Sequence, residues 1–330
     1  LISSHDLAVL TTVVDTWIAY IIAVLALVNT VIDIVVFYQL GYKDTTSITM
    51  TGIALWDLLK LSCVLIIKCY GPMGLVSPAL GKSWESVTFP SMTFLQFISS
   101  NVAYVIAGYV AIERCLCVSI PFKVKTILTP KFTVIILMGI SITVFVSLMP
   151  MMMIFEFVWI FSEEYNATIA IYQYSPFYFQ HGGDFLRSYK TCNFLYPSLS
   201  FVAMVTSTVI IASSLYKASR FRNRSASIIH ALGKTKSQPE MTTRDKKTVK
   251  MLFVVILIYI FCLAPRFAHF MATLLVSEYY YLRYYHNIFW VIVYMVVFLD
   301  IVNAASHFFV FFVMGTSFRK TFKQTFFRAD

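Results

Sequence analysis

Apolar residues run along this chain in long blocks, separated by short polar stretches. Seven blocks stand out, at about 13–40, 48–70, 89–118, 129–157, 193–217, 248–276 and 286–314. Each is long enough to cross a bilayer as a helix, which takes roughly 20 mostly apolar residues. They are apolar around the whole helix circumference rather than along one stripe, as helices facing lipid or buried among neighbours are. Bilayer-spanning strands would be shorter and would alternate in polarity. The stretch 316–327 differs. Phe318, Phe322 and Phe326 recur every four residues, with Arg319, Lys320 and Lys323 between them, the pattern of a basic amphipathic helix lying on a membrane surface. The prediction is an all-α membrane protein, a seven-transmembrane helix bundle with a short amphipathic eighth helix, forming one domain over residues 1–330.

Composition agrees. The chain is 59% hydrophobic and 13% charged, against about 25% charged in soluble domains. The net charge of +10 raises nucleic acid as a partner, but the placement of the charges argues against it. Cytoplasmic loops of membrane proteins collect Lys and Arg. With the N-terminus outside, 19 of the 26 basic residues and 5 of the 16 acidic ones fall inside. The basic residues border lipid instead of forming one accessible face. The expected location is the plasma membrane, multi-pass, with an extracellular N-terminus, a cytoplasmic C-terminus, the lipid bilayer as surroundings and no nucleic acid. The triplet Asn166-Ala167-Thr168 then lies outside, where it can accept a glycan.

No Cys/His cluster has metal-ligand spacing, and neither a His-Glu-x-x-His nor a Gly-x-Ser-x-Gly motif occurs. No metal, cofactor or catalytic residue is expected. A transporter is the remote alternative, but no clear repeat relates the two halves of the chain.

Charges inside spans are costly and so mark function. Glu113-Arg114 closes the third block, followed by Pro121 and Phe122. Asp57 lies mid-span with Lys60 three residues on, near the same helix face. Asp300 sits one turn from Asn303 in the seventh block. Lys60 either pairs with Asp57, Asp300 or both, or reaches outward through a water-filled pocket. Arg266 and His269 share a face after Pro265. Arg266 suits a carboxylate and His269 would lend pH sensitivity; the alternative for both is an interhelical or headgroup contact.

These residues stand in an order that resembles the rhodopsin-like (class A) G-protein-coupled receptors over nearly the whole chain. Asn29, Ala54-Leu55-Trp56-Asp57, Glu113-Arg114-Cys115 with Pro121, Pro150, Phe261-Cys262-Leu263-Ala264-Pro265, Val302-Asn303-Ala304-Ala305-Ser306-His307 and Phe318-Arg319 carry the likeness. The runs 113–125 and 314–322 resemble a molluscan chemosensory receptor group related to invertebrate neuropeptide receptors of the FMRFamide type. The resemblance implies an extracellular ligand, a small molecule or a peptide, and a heterotrimeric G protein as partner, with arrestin and receptor kinases as further ones. It implies that Arg114 is the centre of an activation switch, paired at rest with Glu113, and that Phe122 enters the G protein. It places Asn29, Asp57, Lys60, Asp300, Asn303 and His307 in a polar core, and Gln96 in the ligand pocket where amine receptors carry an aspartate.

Departures from the family pattern are as specific. Cys115, Leu263, His307, Phe308 and Phe311 replace the usual tyrosine, tryptophan, asparagine, proline and tyrosine. Phe89 stands where the family carries a span-three cysteine. Cys69 and Cys192, the two cysteines nearest the oxidising side, are the candidates for a substitute disulfide, provided their Cα atoms come close enough.

Overall fold

A computed structural model describes residues 3–42, 44–119, 128–232, 243–280 and 283–327, and the side chains of 215–249 lie outside the description. Among the described residues, seven helices are long and apolar enough to cross a membrane. They are span one (Ser4–Leu40), two (Thr45–Val76), three (Pro78–Ser119), four (Pro130–Met153), five (Pro176–Ser214), six (Lys250–Leu275) and seven (His286–Met314). A helix bonds every interior backbone group within itself, which is what a solvent without hydrogen-bonding partners demands. A terminal helix, Thr316–Phe326, follows span seven directly.

Local chemistry sets several helix ends. Gly41, at φ 77°, closes span one in a backbone region that side chains disfavour. Thr129 caps span four by accepting the Phe132 N–H, and Pro130 occupies the first turn, where its missing N–H is no loss. Pro90, Pro197 and Pro265 lie inside spans three, five and six.

Spans one, three and five start earlier than the apolar blocks, at Ser4, Pro78 and Pro176. Span three has 42 residues, about 63 Å at 1.5 Å per residue, twice the roughly 30 Å apolar thickness of a bilayer. Its first turns are polar and so carry no apolar signal, yet they hold helix through local pairs such as Lys82 with Glu85 at 2.9 Å.

Span four stops earlier than its apolar block. A 3-10 turn, Met149–Met153, contains Pro150, and Phe155–Phe157 belong to a strand. Strands β1 (Phe155–Ser162) and β2 (Ala167–Tyr174) form an antiparallel hairpin in register Phe155 opposite Tyr174 and Ser162 opposite Ala167. The hairpin was unforeseen, since its aromatic strand merges with the end of span four. Asn166 takes φ 45° in its turn, a conformation Asn tolerates better than most residues. The Ala170 N–H donates to Ser83 Oγ at 3.2 Å and Phe89 stacks on Tyr172 at 5.2 Å, so span three holds the hairpin without a covalent link.

Span three is the axis of the bundle. Ile98, Val102, Ile106 and Val110 are buried in one cluster with Met204 of span five and Leu252, Val255, Ile256 and Tyr259 of span six. A Cβ on Gly108 would meet Ser200 Cα at 3.3 Å, so spans three and five approach closely there. A second cluster joins spans one, two and seven through Ala19, Ala23, Ala26, Leu61, Val64, Ile301 and Ala304, where small side chains permit tight packing. Phe318 of the terminal helix is buried between Phe37 and Phe311, at ring distances of 5.5 and 5.7 Å.

Candidate functional site

Among the described residues, four ion-paired networks lie inside this apolar bundle, spaced along its length. At the end away from the hairpin, Arg114 Nη2 donates to Glu113 Oε1 at 2.7 Å. Thr45, in the first turn of span two, donates to the same oxygen at 2.5 Å and accepts from Arg114 Nη2 at 3.3 Å. Glu113 and Arg114 are buried. The pair foreseen from the sequence is therefore a triad, and Thr45 was missed because nothing local marks one threonine among several. Pro121 and Phe122 lie outside the described residues.

Deeper, Lys60 Nζ meets Asp57 Oδ1 at 2.5 Å. His307 Nδ1 stands 3.3 Å from Asp57 Oδ2, near enough for an ion pair when the ring is protonated but without hydrogen-bond alignment. Lys60 pairs with Asp57 alone, because Asp300 is engaged elsewhere. Asn303 is buried on the same side of span seven. Asn29 is only half-buried. The face that span one turns inward is Ala19, Ala23, Ala26, Thr30, Asp33 and Phe37, with Asn29 at its edge. Asp33 is a buried acid there that sequence reading overlooked.

The third network joins three spans. Asp300 Oδ2 accepts from Arg266 Nη2 of span six and from Ser100 Oγ of span three at 3.1 Å, and Oδ1 accepts from the Tyr104 hydroxyl. Arg266 lies over the Tyr104 and Phe97 rings at 5.2 and 5.7 Å and is 1% exposed. Its charge thus makes the interhelical contact, and Asp300 in span seven is its partner.

One turn toward the hairpin, His269 Nδ1 lies 2.9 Å from the Tyr279 hydroxyl, and its ring packs on Phe289 at 5.1 Å. Burial pushes the Tyr279 phenol up to about 12, so it stays neutral and able to donate. Gln96 is buried on span three, four residues before Ser100. The fourth network is Asp15 with Lys68, an ion pair of spans one and two, beside Thr16 and Tyr70 hydroxyls 2.5 Å apart. A π-helical segment, Thr11–Ile18, turns Asp15 and Thr16 inward. Such segments recur at functional sites.

Cys69 and Cys192 are free thiols and form no disulfide. Cys69 ends the main helix of span two, which packs on spans one and three. Cys192 lies in span five, which packs on spans three and six and borders the central cluster. Asn166 and Thr168 are exposed at the hairpin tip.

Seven apolar helices, a surface helix and an arginine–glutamate pair at one end make a receptor-like arrangement. The family model of the serpentine type 7TM GPCR chemoreceptors, Srw, matches residues 17–329. The chain belongs to the Srw chemoreceptor family. No curated protein matches the chain in the corresponding comparison. The Srw match spans every network described above except Asp15 and Thr16, which precede it. An Srw protein is a multi-pass membrane receptor of the G-protein-coupled class, and within it the four networks are where charge is held away from water.

Proposed function

We propose that this Srw receptor binds an extracellular chemical ligand and activates a heterotrimeric G protein through Arg114. The observation that carries the reading is the Glu113–Arg114–Thr45 triad at the end of span three. A buried arginine with one acid and one hydroxyl as partners has two available states. In one it is clamped to span two through Thr45. In the other, with span six moved outward, it faces an open cleft. A ligand bound far away can bias such a two-state element by binding one state better. Cytoplasmic placement of the triad, and extracellular placement of the hairpin and N-terminus, rest on the crowding of basic residues at that end.

The alternative within the class is a neuropeptide receptor of the FMRFamide type. The motif order from Asn29 to Phe318 supports kinship with rhodopsin-like receptors in either case. The test is expression with a promiscuous G protein and a screen of waterborne small molecules and peptides. A hit should drive guanine-nucleotide exchange that Arg114→Ala abolishes while surface expression persists. Exchange that survives Arg114→Ala removes the switch from the account.

A further inference from the structure

The buried polar groups around Asp300 divide unevenly. Both carboxylate oxygens are engaged: Oδ1 takes the Tyr104 hydroxyl, and Oδ2 takes Ser100 and Arg266. The donor side is not filled. Arg266 Nε and Nη1 have no hydrogen-bond partner, and neither has Gln96 Nε2. All three atoms belong to residues more than nine-tenths buried. Gln96, Ser100 and Tyr104 recur every four residues on span three, so they form one stripe along that helix. Gln96 is the member nearest the hairpin end, one turn above the Ser100–Asp300 contact. The orphaned buried atoms of Arg266 and Gln96 are therefore all N–H donors. Phe97 and Tyr104 cover the guanidinium carbon and exclude water from one side of it. Buried donors in a bilayer-spanning bundle call for an acceptor.

We propose that this cage is the ligand site of the receptor and that it takes a carboxylate, which displaces Asp300 from Arg266. The inference rests on the receptor reading given above. A guanidinium has five N–H donors and bonds most strongly to an anionic acceptor. One positive charge does not neutralise two carboxylates in a low-dielectric interior, so an incoming acid exchanges with Asp300 instead of joining it. The acid enters neutral and its proton passes to Asp300, so one charge pair remains in the site, and Asp300 keeps the Tyr104 and Ser100 hydroxyls as partners. Gln96 Nε2 supplies a further donor to the ligand on the hairpin side. Exchange also loosens span six from span seven, because Arg266 and Asp300 form an ionic link between them. Ligand chemistry at one end is thereby tied to the freedom of span six that the Arg114 switch needs.

The test uses the full chain, purified into lipid nanodiscs. Unfolding is followed with a thiol-reactive dye that reports exposure of buried Cys63 and Cys262. The probes are formate through hexanoate and benzoate, each compared with its primary amide at equal ionic strength. At least one acid should raise the unfolding temperature by roughly 5 °C at hundredfold excess over its dissociation constant, with its amide inert. The shift should vanish in the paired variant Arg266→Gln/Asp300→Asn, which removes both charges and leaves no buried ion unpaired. Gln96→Leu should reduce it. No acid–amide difference anywhere in the series, or a difference that persists in the paired variant, overturns the proposal. Nucleotide exchange on a G protein in the same nanodiscs tests the receptor reading separately. Arg114→Ala should lose exchange and keep the acid shift. An acid shift without any exchange retains the site and removes the receptor reading, and exchange without an acid shift does the reverse.

Discussion

Lys60 Nζ lies 2.5 Å from Asp57 Oδ1, one turn along the same helix, with both side chains almost wholly buried. The ammonium is a built-in counter-ion for a carboxylate that would otherwise be expensive inside a bilayer. A tethered cation cannot be diluted away, so the charge balance of this centre does not depend on the surrounding salt.

The first prediction concerns that tether. Lys60→Met leaves Asp57 with His307 alone, and removing one partner of a buried pair costs about 3–5 kcal/mol. Thermal unfolding of wild type should be equal in sodium chloride and choline chloride. The variant should be destabilised in choline and partly restored by sodium. Equal sodium dependence before and after the substitution would reject a tethered counter-ion.

Thr45 bridges Glu113 and Arg114, and in the proposed switch it holds the arginine at rest. Thr45→Val keeps the shape of the side chain but removes the hydroxyl that bridges Glu113 and Arg114. A lost hydrogen bond to a charged group is worth about 1.5–3 kcal/mol. Basal guanine-nucleotide exchange should rise several-fold, and Thr45→Ser should restore the wild-type rate. Unchanged basal exchange in Thr45→Val means the hydroxyl is not part of the resting clamp.

Asp15 and Lys68 should behave as a unit. Lys68→Ala strands a buried carboxylate and should lower stability by about 3–5 kcal/mol. The double variant Asp15→Ala/Lys68→Ala should be more stable than Lys68→Ala alone. A double-mutant cycle on unfolding temperature measures the coupling, and strict additivity would mean that the two charges do not interact.

Asn166 occupies a turn at φ 45° and is the proposed glycan acceptor, and the two can be separated. Thr168→Ala removes the glycan acceptor triplet without touching the turn, whereas Asn166→Gln removes both the acceptor and a residue suited to φ 45°. Endoglycosidase should shift the mobility of wild type from eukaryotic cells and leave both variants unchanged. Asn166→Gln should in addition lose about 1 kcal/mol of stability through backbone strain. A wild-type band that endoglycosidase does not move would exclude the glycan.

Span seven was legible almost to the residue, as His286–Met314, because its apolar block ends in polar residues. The start of span three was not. Residues 78–88 are too polar to announce a span and are helical through their own pairs and their packing under the hairpin. The hairpin was hidden for the opposite reason. Phe155, Phe157 and Trp159 extend an apolar run, and only pairing with 167–174 distinguishes strand from helix there.

Among the polar residues, Asp57–Lys60 was one of the pairings the chain left open, since residues three apart on a helix are neighbours, whereas Glu113–Arg114 came with the family resemblance. Thr45 was out of reach, being 68 positions from Glu113.

Whether a segment enters lipid depends on the side chains of that segment alone, and so the seven spans and the surface helix could be read from the order of residues. Which buried charge meets which depends on how each helix is rotated and how deep it sits. Four positions along a helix leave a net rotation of about 40°, enough to put Asp33 on the inward face of span one and leave Asn29 at its edge. Arg266 stands 34 positions from Asp300 and is paired with it, while Lys60 keeps Asp57. That assignment exists only once spans two, three, six and seven are packed together, because an ion pair in a bilayer is decided by a few ångströms between elements that sequence does not relate.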